Sequence, residues 1–295
     1  MNSQHYPVMS REVLAILAGT RKTLFVDCTA GMGGHSQRIL AAFAAARVIA
    51  IDQDGESLDR ARENLRGFGE RVRFHHGDYL ALFEDFDCRR LDVCGVLVDP
   101  GISTAQLKEA RRGFSHSVDG PLDMRKDPAA SGPTAADVLN TFPETELAGI
   151  FSRYGEVPGA ARLAKAVIEK RLFAPWSSTA QLRRLVEELS RWRPRPGLVH
   201  PAARVFQALR IFVNRELEGL EAWLEKVPAH LPAGGRLVFL TYHSLEDRIV
   251  KHGCQRLQRL GRAVLLKPFP ALPGADEVGE NLASRSAKLR ALEVA

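Results

Sequence analysis

Over the first hundred residues, short apolar runs alternate with amphipathic segments, and no other feature restricts the fold as tightly. Thr23-Leu-Phe-Val-Asp27, Arg47-Val-Ile-Ala-Ile-Asp52, Val72-Arg-Phe-His-His76 and Val93-Cys-Gly-Val-Leu-Val-Asp99 read as strands. Helices are expected between them, from about Ser36 to Ala46 and from Glu56 to Leu65. Runs of β-branched and aliphatic residues without polar alternation suit strands covered on both faces, hence parallel strands joined by helical crossovers. The expected class is α/β, a Rossmann-like doubly wound sheet.

After Asp99 the pattern changes. Residues 108–134 read as loop, broken by Gly113, Gly120-Pro121, Asp127-Pro128 and Gly132-Pro133. Amphipathic helices are expected near Ala160 to Leu172 and Ser178 to Trp192, the second with Ser178-Thr179 as caps. Arg191-Trp-Arg-Pro-Arg-Pro196 reads as a basic linker, followed by one long helix from about Ala202 to Lys226. Strands return at Gly235 to Tyr242, Ala263 to Lys267 and Ala287 to Leu292, with a helix from about Leu245. The expected domains are 1–107 with 205–295, a sheet, and 108–204, a mostly helical insertion after the fourth strand.

Of the 295 residues, 45% are hydrophobic and 26% charged, which is ordinary globular usage and excludes wholesale disorder. The longest apolar stretches, such as Ile39 to Ala46, fall far short of the roughly 20 residues that span a bilayer. The opening residues show no basic segment leading into an apolar one, so a cytoplasmic protein is expected. The four cysteines form no C-x-x-C pair, which fits a reducing compartment and argues against both a disulfide framework and a zinc site. The net charge of +6 is concentrated: residues 151–215 hold 13 Lys/Arg against 4 Asp/Glu. That excess suits a polyanion-binding face, and equally a set of solvated helix surfaces.

Asp27-Cys-Thr-Ala-Gly31-Met-Gly33-Gly34-His35 sits at the first strand-to-helix turn. Glycines there permit positive φ and close approach of a ligand to the backbone at a helix N-terminus. Asp52 ends the second strand, where a carboxylate can accept hydrogen bonds from ribose hydroxyls. The spacing is not G-x-G-x-x-G and no Walker lysine follows, which disfavours a dinucleotide and a triphosphate. An acid four residues before the first glycine resembles the S-adenosylmethionine loop of class I methyltransferases. A purely structural turn is the competing reading, against which Asp52 and Asp78-Tyr79 weigh.

Asp99-Pro100-Gly101 ends the fourth strand at the carboxyl edge, where open α/β sheets do their chemistry. The exocyclic amine of a base is a poor nucleophile because its lone pair is delocalised into the ring. An acceptor for its N–H favours pyramidalisation and aligns the nitrogen, and no metal is called for. The alternative is that Asp99 merely caps the following turn.

Six blocks carry a resemblance over nearly the whole length. They are His5 to Leu14, Asp27 to Ser36, Gly113 to Arg125, Phe206 to Asn214, His243-Ser-Leu-Glu-Asp-Arg248 and Ser284 to Arg290. In that order they resemble the RsmH (MraW) methyltransferases, which methylate N4 of a cytidine in 16S, small-subunit ribosomal RNA. The resemblance implies the class I S-adenosylmethionine methyltransferase sheet. It places cofactor contacts on Gly33, Gly34, His35, Asp52, Tyr79, Asp99 and Gln106. Gly31 joins them from the glycine turn, Tyr79 suits packing on the adenine, and Gln106 rests on resemblance alone. Three positions depart from the family: Asp99-Pro-Gly-Ile-Ser-Thr104 replaces Asp-Leu-Gly-Val-Ser-Ser, Tyr242 stands where Phe is common, and Asn281-Leu-Ala replaces Asn-Pro-Arg.

A base inside folded RNA cannot reach a sheet edge, so the target must be single-stranded or flipped out. Tyr242, His243 and Ser244 are expected to wall the target base, with Asp99 as the catalytic acceptor. Ser244 with Asp247 reads equally well as a helix cap. Asp123 and Arg125 are expected at the RNA entrance, and Arg183, Arg184, Arg191, Arg193 and Arg195 on phosphates. The lead expectation is thus an RNA cytidine-N4 methyltransferase whose partner is small-subunit ribosomal RNA or the assembled subunit, a homodimer remaining open. A methyltransferase for DNA or protein and a non-catalytic ribosome-assembly factor are the alternatives.

Overall fold

The computed structural model describes residues 7–21, 23–194 and 198–295. The chain divides into two units, residues 1–101 with 217–295 and residues 102–216.

The first unit is built on seven strands: β1 (Leu24–Asp27), β2 (Arg47–Asp52), β3 (Val72–His76), β4 (Val93–Val98), β5 (Arg236–Thr241), β6 (Ala263–Ala271) and β7 (Lys288–Val294). Their order is β3-β2-β1-β4-β5-β7-β6; β1 to β5 are parallel, and β7 runs antiparallel to both neighbours. The unbroken apolar runs have the expected cause. Val26, Ile49, Ile51, Val96 and Val98 pack on one face with Trp223, Leu224 and Val250. Phe25, Val48, Ala50 and Leu97 pack on the other with Val13, Leu17, Ile39, Leu40 and Leu58. Strands β1, β2, β4 and β5 thus alternate between two cores rather than between core and water. The order of connection reverses between β1 and β4, which opens a crevice at their carboxyl ends.

The second unit packs five helices, Ala135–Thr141, Glu144–Gly155, Ala160–Arg171, Thr179–Ser190 and Ala202–Val213, around Phe151, Val167, Leu182, Val205 and Leu209. Side chains of Thr134 and Ser178 close capping boxes with Asp137 and Gln181. At Gly155 a Cβ would stand 2.6 Å from the Arg204 carbonyl oxygen, so glycine lets helix Glu144–Gly155 meet helix Ala202–Val213 backbone to backbone.

Several expectations change. The long helix from Ala202 to Lys226 is two helices, Ala202–Val213 and Leu220–His230, assigned to different units. Asn214 ends the first: its side chain accepts from the Lys126 N–H (2.7 Å) and donates to the Met124 carbonyl (2.7 Å). Arg215 (φ 49°) and Gly219 (φ 76°) then turn the chain. The unit boundaries accordingly fall at 101/102 and 216/217 rather than 107/108 and 204/205. The first interstrand helix is Gly34–Ala42 and ends at Phe43, which is extended. Helices Ser10–Leu17, Ala135–Thr141 and Glu144–Gly155 go beyond the sequence expectation. No helix among the described residues is long and apolar enough to cross a membrane.

One buried ionic group anchors the end of the second unit. Glu216 pairs with Lys126 at 3.1 Å and Arg210 at 3.0 Å, the Glu216 and Lys126 side chains being nearly fully buried. Burial alone would raise its pKa; the charges of Arg210 and Lys126 outweigh it and bring it from 4.5 down to about 2. A depressed carboxylate stabilises the fold above its ordinary pKa and loses that contribution as pH falls through the depressed value. Glu216→Gln leaves two buried cations uncompensated and should lower stability at pH 7 by about 3 kcal/mol. In denaturant titrations the gap to the parent should narrow as pH drops from about 4.5 towards 2. A gap independent of pH would contradict the ionic account.

Candidate active site at the carboxyl edge of the sheet

β1 delivers Asp27 into full burial, where its carboxyl accepts from Ser36 Oγ (2.7 Å) and, more weakly, the Thr29 N–H (3.4 Å). Burial pushes this carboxyl above its ordinary pKa, opposed by the nearby His35. Asp27 therefore braces the turn from behind. The turn itself runs through Gly31 (φ 52°) and Gly33 (φ 87°), and Gly33 begins helix Gly34–Ala42 with no side-chain cap. A Cβ on Gly33 would lie 2.9 Å from Leu65 Cδ1, whereas one on Gly31 would meet nothing within 4 Å. Gly33 is thus fixed by backbone and packing, and Gly31 fronts open space.

Asp52 closes the second strand by accepting from the Gly31 N–H (2.7 Å) on one oxygen and the Asp54 N–H (2.8 Å) on the other. Beyond β3, Asp78 caps the next turn through the Leu80 N–H (3.0 Å), and the buried Tyr79 ring stands edge-on to Trp223 at 5.5 Å. His75 and His76 are engaged separately, with Asp85 and with the Gln53 carbonyl, each at 3.0 Å.

Asp99 gathers the remaining strands. Its N–H donates to Thr29 Oγ1 (2.6 Å), and its carboxylate Oδ1 accepts from the Tyr242 hydroxyl (2.6 Å) at the end of β5. Oδ2 faces His35 Nε2 at 3.4 Å. Burial, together with the Asp99 charge and hydrogen bond, pushes the Tyr242 phenol well above its ordinary pKa. Tyr242 therefore remains a donor throughout the physiological range. The hydroxyl bond holds Asp99, a contact that the sequence expectation of a wall for the target base did not include.

His243 is the N-cap of helix Ser244–Arg259, its Nδ1 accepting from the Glu246 N–H at 3.4 Å. Glu246 in return accepts from the Tyr242 N–H (3.0 Å). The expected Ser244–Asp247 cap is thus displaced by one position, with Ser244 the first helical residue. Asp247 instead holds Arg290 (2.8 Å) and Lys288 (2.9 Å), tying this helix to β7. Sequence reasoning missed Thr29, Ser36 and Glu246; only Ser36, a polar residue just after the glycines, left a local signal.

The candidates in the second unit lie as follows. The Gln106 amide oxygen accepts from the Ser103 N–H (2.8 Å), closing a capping box. Arg125 grips Asp123 with two bonds of 2.8 Å and reaches the Ala130 carbonyl, so the pair braces its own loop. Arg183 pairs with Glu187 at 3.5 Å, while Arg184 and Arg193 are exposed. Arg191 ends helix Thr179–Ser190 at φ 50°. Arg195 lies outside the described residues.

A sheet with this order and one reversed strand, carrying an uncapped glycine turn after β1 and acids after β2 and β4, is that of a class I S-adenosylmethionine-dependent methyltransferase. The model of the MraW methylase family matches residues 2–295, and the chain belongs to that family. Its relatives include proteins named ribosomal RNA small subunit methyltransferase H. That of a Cyanothece species is 46% identical over 97% of this chain and 93% of its own length. That of a Nostoc species is 43% identical over 98% and 92%, and that of Trichodesmium erythraeum 41% identical over 98% of both.

Alkaline difference spectra test the Asp99–Tyr242 bond. Tyr242 should ionise well above its ordinary range, and Tyr242→Phe should delete that late transition. Asp99→Ala removes both the charge and the acceptor and should move the Tyr242 transition to lower pH. An unmoved transition would show that Asp99 does not hold the phenol.

Proposed function

We propose that this protein methylates the exocyclic N4 of a cytidine in small-subunit ribosomal RNA. One observation carries the reading: a carboxylate at the end of β4 has one oxygen held by Tyr242 and the other turned to the side where His35 and the glycine turn lie. The names of the relatives support the substrate.

The residues present fit the cofactor. Open space before Gly31 admits a ligand against the backbone, and Asp52 is already held in one orientation by two N–H groups. Gly31, Gly33, Gly34 and His35 would line S-adenosylmethionine, Asp52 would take its ribose hydroxyls, and Tyr79 would pack on its adenine. Gln106 completes the set on family resemblance. Bound S-adenosylmethionine supplies a methyl group already activated by a sulfonium. The protein's task is then to position the amine and exclude competing nucleophiles. Asp99 Oδ2 accepts the amine N–H, draws its lone pair out of conjugation and holds the proton that N4 loses on methylation. Tyr242 prevents the carboxylate from rotating, and His243 fixes the backbone that presents Tyr242. Arg183, Arg184 and Arg193 of the helical unit hold RNA phosphates, Asp123 and Arg125 shape a rigid loop beside the entering strand, and the protein acts in the cytoplasm on its ribosomal substrate.

With labelled cofactor and small subunits lacking the modification, label should enter one cytidine; label confined to DNA or protein would overturn the substrate. Asp99→Ala should reduce transfer roughly 100-fold or more while RNA binding persists. Unchanged transfer would remove Asp99 from the mechanism and leave a binding factor as the better reading.

Reversing Arg183, Arg184 and Arg193 to Glu should weaken RNA binding and flatten its dependence on salt, by a slope of roughly 0.7 for each single-stranded phosphate no longer neutralised. An unaltered slope would return these arginines to the role of solvated helix surface.

A further inference from the structure

The helical unit contains a cavity of about 520 Å³ whose lining includes His116, Arg183, Arg184, Trp192, Arg193 and His200. Its size is that of a small-ligand site, and its chemistry has two parts.

The first part is a set of flat rings. The His116 and His200 imidazoles stack at 4.8 Å with planes 16° apart, and the Trp192 indole meets His200 at 5.1 Å. His200 Nδ1 accepts from the Ala202 N–H (3.1 Å), and its Nε2 lies 3.0 Å from Glu187 Oε1. Burial pushes the His116 pKa down, and neighbouring His200 and Arg183 push it the same way. Imidazole faces beside an indole offer a stacking surface for a base, as aromatic side chains do in single-strand readers.

The second part is an excess of cations. Two acids also border the cavity, and both are engaged: Glu187 by His200 and, at 3.5 Å, by Arg183, and Glu188 by Lys170 at 2.7 Å. Arg184 has no hydrogen-bond or ion-pair partner among the described residues, and the Arg193 guanidinium donates to the carbonyl of Trp192, leaving its charge uncompensated by that bond. An inorganic anion would leave the rings unused, and an apolar ligand would leave the guanidinium groups unused. A nucleotide uses both.

We propose that this cavity holds one unpaired ribonucleotide of the RNA, its base stacked among His116, Trp192 and His200 and its phosphate on Arg184 and Arg193. Resting on the RNA reading above, this adds a second point of attachment that recognises a nucleotide rather than charge alone. All of the lining residues lie within the second unit.

Tryptophan fluorescence tests this in the full-length protein. Saturating S-adenosylhomocysteine keeps added nucleotide from the cofactor site beside Trp223. Cytidine 5′-monophosphate should quench saturably, whereas inorganic phosphate and ribose 5-phosphate at equal concentration should not. Trp192→Phe should abolish the quenching although Trp176 and Trp223 remain, and Arg184→Glu should weaken it about tenfold. With single-stranded ribosomal RNA, Trp192→Leu and His116→Ala should each weaken binding about tenfold with an unchanged salt slope, since stacking releases no counterions. Trp192 is only half-buried, so its variants test the cavity even if His116→Ala fails to fold. Absence of saturable nucleotide quenching, or RNA affinity insensitive to Trp192, would overturn the proposal. If arginine reversal still weakened RNA binding in that case, the RNA reading would stand without the cavity; if it too had no effect, both would fall.

Discussion

A buried carboxyl at the end of β1 sets the geometry on which the site depends. Asp27 takes Ser36 from the first turn of helix Gly34–Ala42 and the Thr29 backbone from the intervening loop. Thr29 in turn receives the Asp99 N–H, and Asp99 receives the Tyr242 hydroxyl. Three links therefore run from β1 through β4 to β5, across the point where the strand order reverses, and Ser36 ties the helix to the same carboxyl. Desolvation raises the Asp27 pKa, and the nearby His35 and the hydrogen bonds from Ser36 and Thr29 oppose it. Without those partners a polar group in the middle of two apolar cores would be a liability. With them, it fixes where the glycine turn stands relative to Asp99.

Strands β1, β2, β4 and β5 were legible because their physics is local to each run: both faces are buried, so the residues are nearly all apolar. The helix expected from Ala202 to Lys226 failed for the opposite reason. Residues 202–226 carry a sustained helical pattern, and the break at Asn214 is made by the carbonyl and N–H of Met124 and Lys126, about 90 positions away. The missed bond between Tyr242 and Asp99 spans 143 positions. No spacing rule reaches that far, and the aromatic character of Tyr242 suggested a stacking face when its hydroxyl was the informative atom. The cap at His243 was misplaced by one residue because Ser is the commoner cap and stood next in line.

The helical unit shows how a charge excess in sequence separates into distinct tasks. Of its basic residues, Arg210 and Lys126 turn inward to hold Glu216. Arg125 braces a loop, and Arg171 donates to the Leu139 and Phe142 carbonyls. These guanidinium and ammonium groups are structural, and counting them towards polyanion binding overstates the positive face. What remains for a ligand is a smaller group at the end of helix Thr179–Ser190, and there cations are interleaved with rings. Charge alone does not discriminate a phosphate of one strand from any other; rings and charge together do.

Two of this chain's departures from the family pattern act on the same acid. Pro100 has no N–H and, by crowding the preceding residue, confines the Asp99 backbone to extended geometry. Tyr242, where Phe is common, adds a hydroxyl that fixes the Asp99 side chain. One restrains the main chain and the other the carboxylate, so both remove freedom that a substrate amine would otherwise have to remove on binding. A proline alone would leave the carboxylate turning about its side-chain torsions, and a phenol alone would hold an acid whose backbone could shift beneath it. Their joint presence argues that, if Asp99 is the acceptor proposed above, the orientation of its Oδ2, more than the basicity of the carboxylate, is what the site controls.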